Sequence, residues 1–358
     1  MIRPAPEDST ASRLARASEE LSILGHELTA ATAELHRELR FHTGSGSGIE
    51  AVAATLDSTS DRLRRQALAI AEIVYAIAED DIAASGDPRA ERCAAALGRV
   101  ARAVEPIFEI AEELAGRLLA SYRLAGALNR PLESADLKAL DVPIQELLKE
   151  HEAIATGAGV AISPGLLSDK QYWMQWWVRN RGRCTQLHLQ LDPGKPDFYD
   201  YESSAWYVDP AGELVPHLAP PHFDAGGVND YMITATVPTM GADRMIGLGC
   251  AEMTLSRLAS LVSPALQALG APATLATPDL LVAATTAPGL SPGHSITGPL
   301  AFISDEDLHG AFTEISPGIT VTRSAALAWW LIVDWTPSTD SPSAKPDSIS
   351  HWSSHLDR

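Results

Sequence analysis

The fold is decided by FYDYESSAWYVDP (Phe198 to Pro210), PPHFDAGGVNDYMITATVP (Pro220 to Pro238) and IGLGCAEM (Ile246 to Met253). Short β-branched or alternating runs that are divided by glycine and proline are typical of strands. Aromatic rings beside a few charged groups suit a small cup that holds an organic ligand by stacking and hydrogen bonds. This segment therefore predicts a sheet with a small-ligand pocket.

Further strand-like runs lie on both sides of that segment. They are GVAISP (Gly159 to Pro164) and QLHLQL (Gln186 to Leu191), followed by two short strands and a turn within Pro272 to Gly298. SAALAWWLIVDW (Ser324 to Trp335) predicts a buried closing strand, and the apolar spacing of Thr254 to Leu269 predicts a helix between the strand-rich parts. The C-terminal two thirds of the chain therefore predict two successive units that contain sheets.

The first 130 residues instead predict helices. Leucines recur at three, four and seven residues from Leu14 to Leu39, which forms an apolar stripe on one helix face. A second apolar stripe runs from Leu56 to Ile77. Pro88 fits the first turn of a third helix that runs to about Ala125, and a kink is expected at Pro106. A fourth helix is expected at Ala135 to Thr156, and the N-cap of that helix is expected to be Ser134 or Asp136.

Composition excludes several classes of function. The 358 residues carry a net charge of −19, which argues against a surface for nucleic acid. The three cysteines, Cys93, Cys184 and Cys250, have no metal-ligand spacing and indicate reduced thiols. The first residues lack an apolar signal region, and the longest apolar run, Ala325 to Val333, is far short of a membrane span. A cytoplasmic protein without a membrane or nucleic-acid partner is expected.

The order of these features resembles a double-Cache sensor domain over about residues 136 to 335. The spacing from DYESSAWY through PHFD to the ITATVP and GLGCAEM runs carries the resemblance. It implies an α+β fold, with an N-terminal antiparallel helical bundle followed by two PAS-like Cache lobes with antiparallel sheets. The expected domains are a helical module at 1–130, a ligand-binding lobe at 131–262, a smaller lobe at 263–335 and a disordered tail at 336–358.

The resemblance also implies a set of ligand-binding residues. Trp206 and Tyr207 occupy the positions of the family's aromatic pair, and Glu252 stands where the family has a later aspartate. His222 replaces a tyrosine in a segment that keeps Asp224, so both are candidates. Ser204 stands where amino-acid sensors have an arginine that clamps a carboxylate, which puts the binding of α-amino acids in doubt because a hydroxyl cannot form that ion pair.

The residue types themselves suit a cation. The rings of Tyr199, Tyr201, Trp206 and Tyr207 offer faces to an amine or quaternary ammonium, and two carboxylates supply charged hydrogen bonds.

Structural interpretations stand beside the ligand-binding one. Trp206 is as consistent with core, Asp224 with the cap of a turn before Gly226, and Glu252 with a strand surface. His222 is consistent with a hydrogen-bonded structural group. The indoles of QYWMQWWVRN (Gln171 to Asn180) have helical spacing, which favours core packing, with a pocket wall as the second interpretation.

The sequence thus predicts a cytoplasmic sensor that binds an amine, an amino acid or a short carboxylate and signals through its N-terminal helices. Its partner would be another protein or a second copy of the chain. The alternative is a helical scaffold whose Cache region binds nothing. No catalytic residue, cofactor or metal site is predicted, since no activated nucleophile, phosphate-binding glycine loop or His-Glu-x-x-His motif occurs.

Overall fold

The computed structural model describes residues 86–180, 182–214, 216–241, 244–297, 311–324, 327 and 329–336. The predicted helices before residue 86 and the predicted disordered tail after Thr336 lie outside these ranges. Within these ranges, no helix combines the length and the apolar content that crossing a bilayer requires.

Helices and two sheets follow one another along the chain, so the predicted α+β class is confirmed. The helices are α1 (Pro88–Ala127), α2 (Asp141–Glu150), α3 (Ala205–Glu213) and α4 (Leu255–Gln267). The strands of the first sheet are β1 (Gly157–Ile162), β2 (Met174–Asn180), β3 (Arg183–Gln186), β4 (His217–Phe223), β5 (Tyr231–Met240) and β6 (Met245–Thr254). Those of the second sheet are β7 (Ala273–Ala276), β8 (Val282–Thr285), β9 (Phe312–Ser316), β10 (Ile319–Arg323) and β11 (Trp330–Asp334).

The first sheet has the order β3-β2-β1-β6-β5-β4, and its neighbouring strands are antiparallel. The second has the order β8-β7-β11-β10-β9. The predicted short strands after Pro272 are β7 and β8, and the predicted closing strand is β11, which lies in the middle of its sheet. The predicted domain boundaries stay predictions.

The tryptophan-rich run is a strand, and the helical interpretation of its tryptophan spacing was wrong. In β2, Met174 and Trp176 lie on one face of the sheet, while Gln175 and Trp177 lie on the other, where both donate hydrogen bonds to Asp141 Oδ1. Five residues of β2 are paired with β1, and this ladder overrides a spacing that an alternating strand also produces.

Two other local predictions were also wrong. QLHLQL contributes only Gln186 to a strand. In the deciding segment, FYDYESSAWYVDP forms a short 3-10 helix and most of α3 rather than strands. The long α3-containing connection between β3 and β4 is thereby free to lie across the sheet.

The predicted fourth helix is shorter than expected and lacks the predicted cap. A 3-10 helix precedes α2, and no side-chain capping bond forms at either start. Ser134 Oγ instead donates to Asp169 Oδ2 at 2.6 Å. Asp136 accepts two 2.7 Å hydrogen bonds from the Arg130 guanidinium, a bidentate charged pair that outcompetes a cap.

The long helix α1 continues through Pro106, and its C-terminal half packs closely on the first sheet. Ala111 and Ala115 form a buried cluster with Val237 of β5. A Cβ placed on Gly249 of β6 would collide with backbone atoms of Ala111 and Ala115, so only glycine permits this approach. We call this side of the sheet the back face.

Helix α4 connects the two sheets and matches the helix predicted from Thr254 to Leu269. The Thr254 hydroxyl accepts a hydrogen bond from the Arg257 backbone N–H at 3.2 Å, which satisfies a free donor at the helix start. The second sheet has its own apolar core, in which Val282, Val321 and Trp330 are buried.

Candidate ligand-binding site

A small pocket opens on the front face of the first sheet, opposite α1. It lies between the central strands and the connection that contains α3. Its lining residues are Met174, Trp176, Leu187, Leu189, Tyr199, Trp206, His222, Asp224, Thr234 and Glu252. The space open to the centre of a water molecule is about 10 Å³, which is room for about one water.

Strand alternation brings the floor of the pocket together. Trp176 of β2 and Glu252 of β6 point to the same face because both strands flank β1 and pair with it in register. Gly157 of β1 pairs with Glu252, while Trp176 pairs with Gly159, and a Cβ on Gly157 would collide with the Glu252 carboxyl group and lie 3.0 Å from Trp176 Nε1. The missing side chain of Gly157 therefore makes the space that Glu252 occupies.

Glu252 is the most unusual group of the pocket. It is buried, and its Oε1 has no hydrogen-bond partner. Burial raises the pKa of the Glu252 carboxyl to about 8, the negative charge of Asp224 adds to this, and a hydrogen bond from Trp176 opposes it. The carboxyl group is therefore largely protonated at neutral pH, and of the two sequence interpretations the structure places it in the pocket rather than on a strand surface.

Asp224 serves the turn and the pocket at once. Its Oδ2 accepts the Val228 backbone N–H at 2.6 Å, which is the turn role considered from the sequence. Its Oδ1 accepts the Tyr199 hydroxyl at 2.6 Å on the pocket side. Burial first, and then the charge of Asp224, raises the pKa of Tyr199 far above its usual value, so the hydroxyl stays a donor.

His222 has a defined tautomer. Its Nδ1 lies 3.0 Å from the carbonyl oxygen of Pro220, and a carbonyl can only accept, so Nδ1 carries a hydrogen. In the neutral ring, Nε2 is then the acceptor. His222 also lines the pocket, so it combines the structural role and the pocket position that the sequence left open.

An aromatic cluster supports the pocket wall. The rings of Trp176 and Trp206 lie 6.3 Å apart, and Tyr201 stacks on Trp206 at 6.3 Å. Tyr207 meets Tyr201 edge-on at 5.2 Å. Trp206 thus belongs to the core cluster and to the pocket wall at the same time.

Three predicted site residues lie outside the lining. Tyr201 is buried and donates its hydroxyl to the carbonyl oxygen of Ile162 at 2.6 Å, which anchors the connection to β1. Tyr207 is buried behind Trp206. Ser204 is the N-cap residue of α3, and its hydroxyl donates to the carbonyl of Asp200 at 3.3 Å. Their role in binding stays a prediction, since in this structure they support residues that line the pocket.

Four lining residues were not predicted from the sequence. Met174, Leu187, Leu189 and Thr234 are side chains of ordinary types that carry no chemical signal by themselves. Met174 and Thr234 follow from strand alternation once the register is known, because Thr234 pairs with Glu252 across β5 and β6. Leu187 and Leu189 were assigned to a strand, and their place in the wall depends on the path of the connection.

No protein-family model matches the chain, and no curated protein matches it. Solved structures with a similar arrangement exist at low identity. One is the ligand-binding domain of the amino acid chemoreceptor PctC of Pseudomonas aeruginosa PAO1 in complex with GABA. It is 17% identical, with a TM-score of 0.42, over 66% of this chain and 94% of that one.

Two further solved structures are also similar to this chain. The ligand-binding domain of the Campylobacter jejuni chemoreceptor Tlp3 with L-norvaline is 11% identical, with a TM-score of 0.43, over 69% of this chain and 92% of that one. The extracellular domain of the histidine kinase mmHK1S-Z3 is 14% identical, with a TM-score of 0.45, over 65% and 87%. Domains of chemoreceptors and of a histidine kinase are thus among the structures similar to this chain.

Proposed function

We propose that this protein is a small-molecule sensor and that the pocket on the first sheet binds a ligand through a positively charged amine. The observation that supports this is the buried Glu252 carboxyl with an unpartnered Oε1 beside Asp224. None of the described residues that line the pocket is a lysine or an arginine. A cation from outside would supply the positive charge that this site lacks.

The aromatic walls support the same ligand class. The indoles of Trp176 and Trp206 and the phenol of Tyr199 line the pocket together with the two acidic groups. A cation over an aromatic face gains about 0.5–2 kcal/mol, with the larger values in desolvated sites. A free carboxylate on the ligand would have no lysine or arginine partner among the described lining residues, so simple amines are expected to bind better than amino acids.

Signalling through the helices is a further part of the proposal. The back face of β6 contacts α1 through Gly249, while the front face of β6 carries Glu252. A ligand changes the arrangement of helices only if it binds one arrangement more tightly than another. The partner, whether a regulatory protein or a second copy of the chain, and the cytoplasmic location stay predictions that cross-linking and cell fractionation would test.

The test is a thermal-shift screen of amines, amino acids and short carboxylates, with GABA, L-glutamine and L-norvaline among the compounds. We expect amines to stabilise the protein, by about 2.7 kcal/mol at a ligand concentration 100 times Kd. Asp224→Asn and Trp206→Ala should reduce this gain, while the exposed Asp230→Asn in the same hairpin should not. Full affinity in both pocket variants would show that the ligand binds elsewhere.

The second candidate is a scaffold whose pocket binds nothing. The observation that favours it is the small open space of about 10 Å³, because the aromatic side chains nearly fill the cup. A scaffold shows no thermal shift with any compound of the screen. Its Trp206→Ala variant would lose stability, by about 3–5 kcal/mol for a buried tryptophan, without any effect on ligand response.

A further inference from the structure

The size and the hydrogen-bonding character of the pocket narrow the ligand further. The open space admits about one water molecule, and an ammonium group has nearly the same size. A longer amine fits entirely within this space only if the walls move. The space is bounded by Trp176, Trp206 and Tyr199, which belong to or adjoin the packed aromatic cluster behind them.

Four side-chain donors around this space are already used. The Tyr199 hydroxyl donates a hydrogen bond to Asp224, and the Trp176 indole N–H donates one to Glu252. The Nδ1–H of His222 donates to the Pro220 carbonyl oxygen. The Trp206 indole N–H is a donor to Tyr199. Once Glu252 has given up its proton, the groups that are left over are acceptors, namely Glu252 Oε1 and, in the neutral ring, His222 Nε2. The Thr234 hydroxyl of the lining can accept as well as donate.

A site of acceptors suits a guest that has only donors. Ammonium has four N–H donors and no acceptor, and methylammonium has three donors and one methyl group for the aromatic wall. A neutral water would leave the acidic groups without positive charge, and a carboxylate would add negative charge beside them. The pocket therefore matches a compact alkylammonium head better than an amino acid.

We propose, on the basis of the sensor function above, that the pocket takes up ammonium or methylammonium and that Glu252 releases its proton when the cation enters. The step balances: the protonated Glu252 and the cation give a carboxylate–cation pair, and one proton leaves to the solvent. No bond between heavy atoms forms or breaks, and no oxidant or reductant takes part.

The groups around Glu252 fit this exchange. Asp224 and His222 approach it from the β4 end, Tyr199 from the α3-containing connection, and Cys250 from its own strand. The β1, β2 and β5 neighbours, Gly157, Trp176 and Thr234, carry no ionisable group. The raised pKa of Glu252 agrees with a proton that is held in the free protein. The entering cation supplies the opposite charge that favours the ionised form.

Calorimetric titration with ammonium chloride and methylammonium chloride tests the proposal on the full chain. We expect binding, with affinity rising about tenfold per pH unit between about pH 5.5 and 7.5, because one proton is released per cation. Titrations in two buffers of different ionisation enthalpy should give one proton per bound cation. Potassium chloride, a cation without N–H donors, should bind at least tenfold more weakly.

Glu252→Gln is the informative variant, since it mimics the protonated side chain and keeps the packing. It should lower the affinity for methylammonium at least tenfold and abolish the proton release. Glu202→Gln, at an exposed position of the 3-10 helix that precedes α3, is the matched control and should behave as the unchanged protein.

The outcomes separate this inference from the sensor function itself. Tighter binding of GABA or butylamine than of methylammonium would overturn the ammonium-sized ligand and leave the amine sensor standing. Binding of methylammonium without proton release, or equal binding of potassium, would also overturn the inference. If no amine binds at all, both the inference and the proposed function fall.

Discussion

At the scale of single residues, the site depends on what is missing as much as on what is present. Glu252 sits in a space that exists because Gly157 has no side chain, and no described lysine or arginine of the lining neutralises it. A buried acid of this kind usually stays protonated, because the charged form is poorly solvated. The residue therefore links the stability of the protein to pH.

Replacing Glu252 by glutamine should flatten the pH dependence of stability. The folded pKa of about 8 lies above the ordinary value of 4.5, so the contribution of this group is complete below about pH 4.5 and is lost as pH rises towards 8. The loss should be on the order of a few kcal/mol, since one pKa unit corresponds to about 1.4 kcal/mol. Urea unfolding of both proteins at pH 5 and pH 8 measures this loss. An equal change in the free energy of unfolding between the two pH values in both proteins would contradict the assignment.

Gly157→Ala should destabilise the protein by about 1–3 kcal/mol, because the new methyl group collides with the Glu252 carboxyl group. Gly116→Ala is the matched control. It lies in α1 with nothing near its would-be Cβ, and it should be stabilising by about 0.5–1 kcal/mol through helix propensity. Chemical unfolding at neutral pH measures both variants. Equal effects of the two alanines would show that Gly157 has no special role.

At the scale of elements, the close packing of α1 on the back face depends on one glycine. Gly249 allows the backbone of α1 near Ala111 and Ala115 to approach β6. Larger side chains at this point would force the helix away from the sheet.

Gly249→Ala should therefore loosen the packing of α1, with a loss of about 1–3 kcal/mol or more. The expected readouts are a lower melting temperature and faster amide exchange in α1 between residues 111 and 118. The control is Gly126→Ala, near the C-terminal end of the same helix, where nothing lies within 4 Å of a would-be Cβ. Unchanged amide exchange in α1 would contradict this role of Gly249 in the packing.

At the scale of the whole molecule, the net charge of −19 repels itself and weakens the folded state. Sodium chloride should raise the melting temperature at pH 7.5, because the screening length falls from about 30 Å at 0.01 M to about 3 Å at 1 M. The same salt series at pH 4.9, the isoelectric point, is the control and should show little change. A gain of equal size at both pH values would assign the effect to something other than charge.

The sequence was sufficient for elements whose local signals agree with their tertiary setting. Helix α4 has its threonine cap and its apolar spacing, and β11 has a continuous apolar run, so both were predictable. Strand β2 was not, because the spacing of its tryptophans fits a helix as well as an alternating strand, and pairing with β1 decides between them.

The candidate site was predictable where its chemistry is distinctive. Tyr199, Trp206, His222, Asp224 and Glu252 were named from the sequence and line one pocket. Tyr201 and Tyr207 have the same residue types but lie behind the wall, since ring type alone does not tell which side of a cluster faces a cavity. The leucines of the wall were assigned to the wrong element because their position depends on how the chain returns across the sheet.

Strand β6 has consequences beyond binding. Within four residues it exposes one side to α1 at Gly249 and the opposite side to the pocket at Glu252. A guest that tightened or displaced this strand by a fraction of an ångström would press directly on the helix, with no intervening layer to absorb the movement. Only the thickness of one sheet would then separate the binding event at Glu252 from the movement of α1.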